Sequence, residues 1–139
     1  MLRKMMLPKT MSPNKIALVA YLARDCDEAI AWFQGALGFH LLEDSDHGDG
    51  KRWVRMSAAP ASETAFLIAR AVGDQIQAVG SAAGGRVAYI FQTDDFAIQY
   101  AKMIDFGVVF ETAPRDEPYG IVAVFQDLYG NRWDLIEFK

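Results

Sequence analysis

The stretch KIALVAYLARD, Lys15 to Asp25, is a nearly continuous apolar run, and the period changes straight after it. In DEAIAWFQGALG, Ala29, Ile30, Phe33 and Leu37 recur at the spacing of one helix face, so the pattern predicts a strand followed by an amphipathic helix. Asp25 and Glu28 occupy the positions of a capping box, and Gly38 stands where the helix would stop, because glycine reaches the left-handed conformation that closes a helix. FHLLEDS, KRWVRMSA and TAFLIARA then read as three strands, separated by the turn signals HGDG and AAPAS.

The same order returns in the second half. GRVAYIFQTDD, Gly85 to Asp95, reads as a strand ending in acids, and FAIQYAKMIDF as a helix with Ile98, Ala101, Met103 and Ile104 inward, closed by Gly107. VVFET, GIVAVFQ and NRWDLIEF follow as strands, with an irregular loop at PRDEPYG and a hairpin turn at DLYGN. The helix-starting acids Asp25 and Asp95, and the closing glycines Gly38 and Gly107, place the two copies about 70 residues apart.

The organisation expected is a flexible tail over 1–14 and one domain over 15–139. Its first module covers 15–72, a linker that can hold one short helical turn covers 73–84, and the second module covers 85–139. One helix covers only one face of a four-stranded sheet, so the other face needs a partner. The fold class is α+β: two βαβββ modules whose curved mixed sheets enclose a cavity.

Strand alternation then sorts the candidates. Arg86, Ala88, Ile90 and Gln92 share one face of their strand, and Val87, Tyr89 and Phe91 share the other, which packs on the helix. Leu18, Ala20 and Leu22 from the first strand and Arg132, Asp134 and Ile136 from the last join the former set. That lining is apolar with a few polar groups, the usual make-up of a small-molecule pocket. Asp134 either faces a ligand or pairs with Arg86 or Arg132, since a buried charge needs a partner. Arg52 is either an anion-orienting fork or an exposed strand-edge arginine, and Trp53, which alternation sends the other way, can stack on a flat ligand. Arg115, Glu117 and Tyr119 form a rim over the cavity or an ordered turn set by Pro114, Pro118 and Gly120. Trp32 is expected in the core, and Cys26 as an inert thiol. His40 and His47 read as solvated edge or loop histidines.

Composition narrows the function. The 139 residues are 52% hydrophobic and 12% aromatic, enough to build a core, and the net charge of −4 weighs against nucleic-acid binding. A single cysteine excludes a disulfide framework and a thiolate zinc cluster, which suits a reducing compartment. The apolar MML near the start is too short for a signal sequence, and no segment reaches membrane-spanning length. A cytoplasmic protein is expected, with Met5, Met6 or Met11 as alternative starts.

LVAYLARDCDEAIAWFQGALGF, GKRWVRMSAAP, GGRVAYIFQTDDF and EPYGIVAVFQDLYGNRWDLIEF together resemble the vicinal oxygen chelate superfamily, which includes glyoxalase I, bleomycin-resistance proteins and extradiol dioxygenases. The resemblance covers roughly residues 15 to 138. It implies that catalytic members hold one divalent metal through four side chains, from the first and last strand of each module. Those positions fall here on Leu18, on Ala65 or Phe66, on Ala88 and on Asp134, so the usual metal site is expected to be absent. The reading that follows is a metal-free binder of a small hydrophobic or aromatic molecule, without cofactor. The alternative is a metal-dependent lyase or dioxygenase with non-standard ligands drawn from Gln92, Asp134 and a histidine. The resemblance also implies a homodimer.

Overall fold

The computed structural model describes residues 13–139, so the expected tail lies outside the described residues except for Pro13 and Asn14. The elements run β1 (Leu18–Ala23), α1 (Cys26–Leu37), β2 (His40–Asp46), β3 (Arg52–Ser57), β4 (Ala65–Arg70), a 3₁₀ turn (Gly73–Ala78), β5 (Val87–Gln92), α2 (Phe96–Phe106), β6 (Val109–Phe110), β7 (Arg115–Glu117), β8 (Gly120–Gln126) and β9 (Arg132–Phe138). The first sheet has the order β1-β4-β3-β2, and the second β5-β9-β8-β6 with β7 also on β8. β1 lies parallel to β4 and β5 parallel to β9, while the other pairs are antiparallel. The repeat is therefore real: each half is a βαβββ-like module with a mixed sheet.

Local chemistry explains the helix boundaries. The Asp25 carboxylate accepts the Glu28 backbone N–H at 2.8 Å, and Asp95 accepts that of Ile98 at 3.1 Å. Gly38 and Gly107 close the two helices at φ 71° and 104°, a region costly for any residue with a Cβ. The capping box at Asp25 is only half made, because the Glu28 side chain instead accepts a 2.8 Å hydrogen bond from the Tyr129 hydroxyl.

Three expectations change. Helix α2 buries Phe96 and Met103, whereas Ile98 is 56% exposed and both Ala101 and Ile104 are exposed as well. The helix is apolar on more than one stripe, and the packing surface chose between them. The segment PRDEPYG is not wholly irregular either, since Arg115–Glu117 pairs antiparallel with the start of β8, while the strand expected over VVFET shrinks to Val109–Phe110. The linker does carry one helical turn.

The helix-bearing faces of both sheets meet in a single core. Tyr21, Val54, Met56 and Ile68 from the first module and Ala123, Phe125, Trp133 and Leu135 from the second belong to one cluster with both helices. Rings cross the module boundary, with centroids 4.9 Å apart for Phe66 and Tyr89 and 5.8 Å for Phe66 and Trp133. Trp32 packs half-buried against this core, and Cys26 is buried. No helix among the described residues is long and apolar enough to cross a membrane.

Candidate functional site

Because the helix-bearing faces share the core, the residues that alternate with them point the other way. On the second sheet the register sets Asp134 of β9 between Ile90 of β5 and Val124 of β8, and Ile136 between Gln92 and Val122. Val122 and Ile136 are 1% and 3% exposed, and Val124 is buried, yet none of the three belongs to the main core. They form a second apolar surface on the far side of the sheet, with Asp134 half-buried in its midst.

Arg132, two residues before Asp134 on the same face, is engaged elsewhere. Its Nε and Nη2 donate to the Glu111 carboxylate at 2.9 and 2.8 Å, and its Nη1 donates to the Gly85 carbonyl at 3.1 Å. The Arg132 guanidinium beside Glu111 holds that carboxyl below the usual carboxylate range, through hydrogen bonding first. The expected pairing of Asp134 with Arg86 or Arg132 does not form, and among the described residues Asp134 has no hydrogen-bond or ion-pair partner. Burial pushes its pKa up, opposed by the charges of Arg115 and then Arg132. Arg115 lies on β7 opposite Val122, and its nearest acid is Glu117 at 3.9 Å.

The remaining candidates are scattered. Arg52 is on the helix-bearing face of β3, where its guanidinium bonds Asp27 of α1 at 2.7 Å and Asp44 of β2 at 2.8 Å. Its ion pairs tie the helix to the hairpin. Trp53 points the opposite way, is 38% exposed, and with Arg52, Lys51 and Arg70 borders a hollow of about 450 Å³ at the end of the first sheet. Gln92 lines a different groove, of about 430 Å³, along the seam between β1 and β5, with Phe39, Phe66, Tyr89 and Phe91. Arg86 is exposed just before β5, and Tyr119 is exposed in the β7–β8 turn.

Sequence reasoning missed the floor residues Val122 and Val124, and missed Glu111 as the partner of Arg132. The alternation in GIVAVFQ was a usable signal for the first two, but nothing local marks Glu111, which reaches Arg132 only through the pairing of β6 with β8 and β8 with β9.

A metal finds little here. Leu18, Ala65, Phe66 and Ala88 carry no donor atoms on their side chains, and no group of three or more His, Cys, Asp or Glu converges among the described residues. His40 opens edge strand β2, and His47 sits in the β2–β3 hairpin with its ring 6.1 Å from that of Trp53. A hard divalent cation needs several oxygen ligands and zinc at least three protein donors, so this set does not fit one.

The family model of the Glyoxalase/Bleomycin resistance protein/Dioxygenase superfamily matches residues 15–135, and the chain belongs to that superfamily. An uncharacterized protein of Shewanella frigidimarina (strain NCIMB 400) is 41% identical over 128 residues, covering 91% of this chain and 95% of that protein. TnmS3, an antibiotic binding protein from Streptomyces sp. CB03234, superimposes with a TM-score of 0.76 at 23% identity, over 94% of this chain and all 100% of that one. A glyoxalase I mutant from Zea mays superimposes with a TM-score of 0.69 at 20% identity, over 88% of this chain and 44% of that chain. At such identities the two structures speak for the fold.

Proposed function

We propose that the protein binds a small, largely apolar aromatic molecule, without a metal, on the faces of its sheets that turn away from the helices. The observation that carries this reading is the second apolar surface: Val122, Val124 and Ile136 are buried outside the core and surround one unpaired carboxylate. Apolar area with a few placed polar groups is the make-up of small-molecule sites. That TnmS3 is an antibiotic binding protein is in keeping with it.

The site is incomplete in one chain. Each module leaves part of its outward face open, with Ile90 65% exposed on the second sheet and Trp53 exposed on the first. Two copies related by a twofold axis would set the first sheet of one against the second sheet of the other and close both faces into paired cavities. Trp53, Arg115, Tyr119 and Asp134 are then the lining candidates, with Arg86 and Gln92 at the margin.

The test combines three measurements on full-length protein. Size-exclusion chromatography with light scattering is expected to give a dimer, elemental analysis no stoichiometric metal, and planar aromatic compounds should quench the fluorescence of Trp53. Tight nickel, zinc, manganese or iron(II) binding that is lost in Asp134→Asn would replace this reading with a metal-dependent one.

A further inference from the structure

Asp134 differs from every other acid on the described strands in having no partner. Glu43 accepts from Arg55 and Ser45, Asp44 from Arg52, Asp46 from the Gly48 backbone, and Glu137 from the Phe96 backbone. Asp116 pairs with Lys139, and Glu117 with Arg115. An acceptor left over on an apolar floor dictates what can cover it. A wholly apolar ligand would strip solvent from the carboxylate and return nothing, which costs the desolvation of a charged group. A ligand that brings a donor replaces the lost hydration with a charge-assisted hydrogen bond.

The sign of the surroundings narrows the donor further. An anion placed here meets the carboxylate itself. A cation is attracted by the carboxylate, with Arg115 and Arg132 already paired to Glu117 and Glu111, but gives up its own hydration on the apolar floor. A neutral hydroxyl meets neither penalty. Resting on the binding-site reading above, we infer that Asp134 selects planar apolar ligands that present a hydrogen-bond donor, such as a phenolic hydroxyl, over their etherified and anionic counterparts.

Isothermal titration calorimetry on the full-length protein with 2-naphthol, 2-methoxynaphthalene and 2-naphthoate tests this. Wild-type protein is expected to bind 2-naphthol about tenfold or more tighter than its methyl ether, the size of a charge-assisted hydrogen bond. In Asp134→Leu the preference for the naphthol should vanish through loss of naphthol affinity, with the ether still bound. Equal affinity for the naphthol and its ether in wild-type protein, tighter binding of the naphthoate, or a preference that survives in Asp134→Leu overturns the inference and leaves the site standing. Absence of binding by all three overturns the site reading together with it.

Discussion

The Tyr21 hydroxyl of β1 donates a 2.7 Å hydrogen bond to Asp127 at the end of β8, so a side chain of the first module is locked onto a buried carboxylate of the second. The same carboxylate accepts from Trp133 Nε1 at 3.0 Å, from Asn131 Nδ2 at 3.0 Å, and from the backbone N–H groups of Tyr129 and Asn131. Five donors converge on one buried charge, and Tyr21 is the one that reaches it from the other module. Tyr21→Phe should cost about 1.5–3 kcal/mol, the range for a hydrogen bond to a charged group. Urea denaturation checks it, with the variant's midpoint below that of wild type.

The same pair gives an alkaline limit. Burial first, and then the charge of Asp127, hold the Tyr21 pKa well above the ordinary tyrosine range. A group whose pKa is raised on folding contributes stability that is complete below its unfolded value, about 10, and is lost as pH climbs above it. The urea midpoint should therefore fall above about pH 10, and fall less steeply in Tyr21→Phe.

Asp134 carries the opposite lesson, because its ionised form is disfavoured in the fold. With its pKa raised by burial, its contribution is favourable below the unfolded carboxylate value and is lost as pH rises through the folded one. At neutral pH the charge is then a liability of the folded state. Asp134→Asn should raise the urea midpoint at pH 7, by a small amount because the group still meets solvent. The gain should shrink towards pH 3. A stabilising substitution at this position would fit a residue kept for binding rather than for folding.

Arg52 should behave as structure. Removing its contacts to Asp27 and Asp44 in Arg52→Ala is expected to cost about 1 kcal/mol or less, since the pairs are largely solvated, and to cost less at high salt. Binding of 2-naphthol, measured by calorimetry, should be unchanged.

The linker is pinned at one glycine. A Cβ on Gly80, at φ 86°, would run into the Tyr129 carbonyl oxygen, and the neighbouring Ala82 N–H is held by Asn131 Oδ1 at 3.0 Å. Gly80→Ala combines backbone strain with a clash against main chain that cannot rotate away, so a loss of roughly 2–3 kcal/mol is expected. Thermal melting would show it as a lowered midpoint.

The sequence by itself determined the repeat and the face assignments of β9 and of β5 from Tyr89 on, while a register shift between Val87 and Tyr89 sets Val87 beside Arg132 rather than with Tyr89 and Phe91. The change from continuous apolar runs to helical spacing, the acids at 25 and 95 and the glycines at 38 and 107 are local signals, and local hydrogen bonds and backbone angles realise them. Alternation likewise put Tyr89 and Phe91 towards the helices and Asp134 on the opposite face, because the strand period of two does not depend on what the strand meets. The tertiary structure decided the partnerships. Glu111 took Arg132 away from Asp134, Asp27 and Asp44 took Arg52, and Met103 rather than Ile104 turned inward on α2. Charges and apolar stripes find partners through sheet register and helix packing, which join residues from strands far apart in the chain, and spacing along the sequence cannot encode which of several neighbours lies close enough to bond.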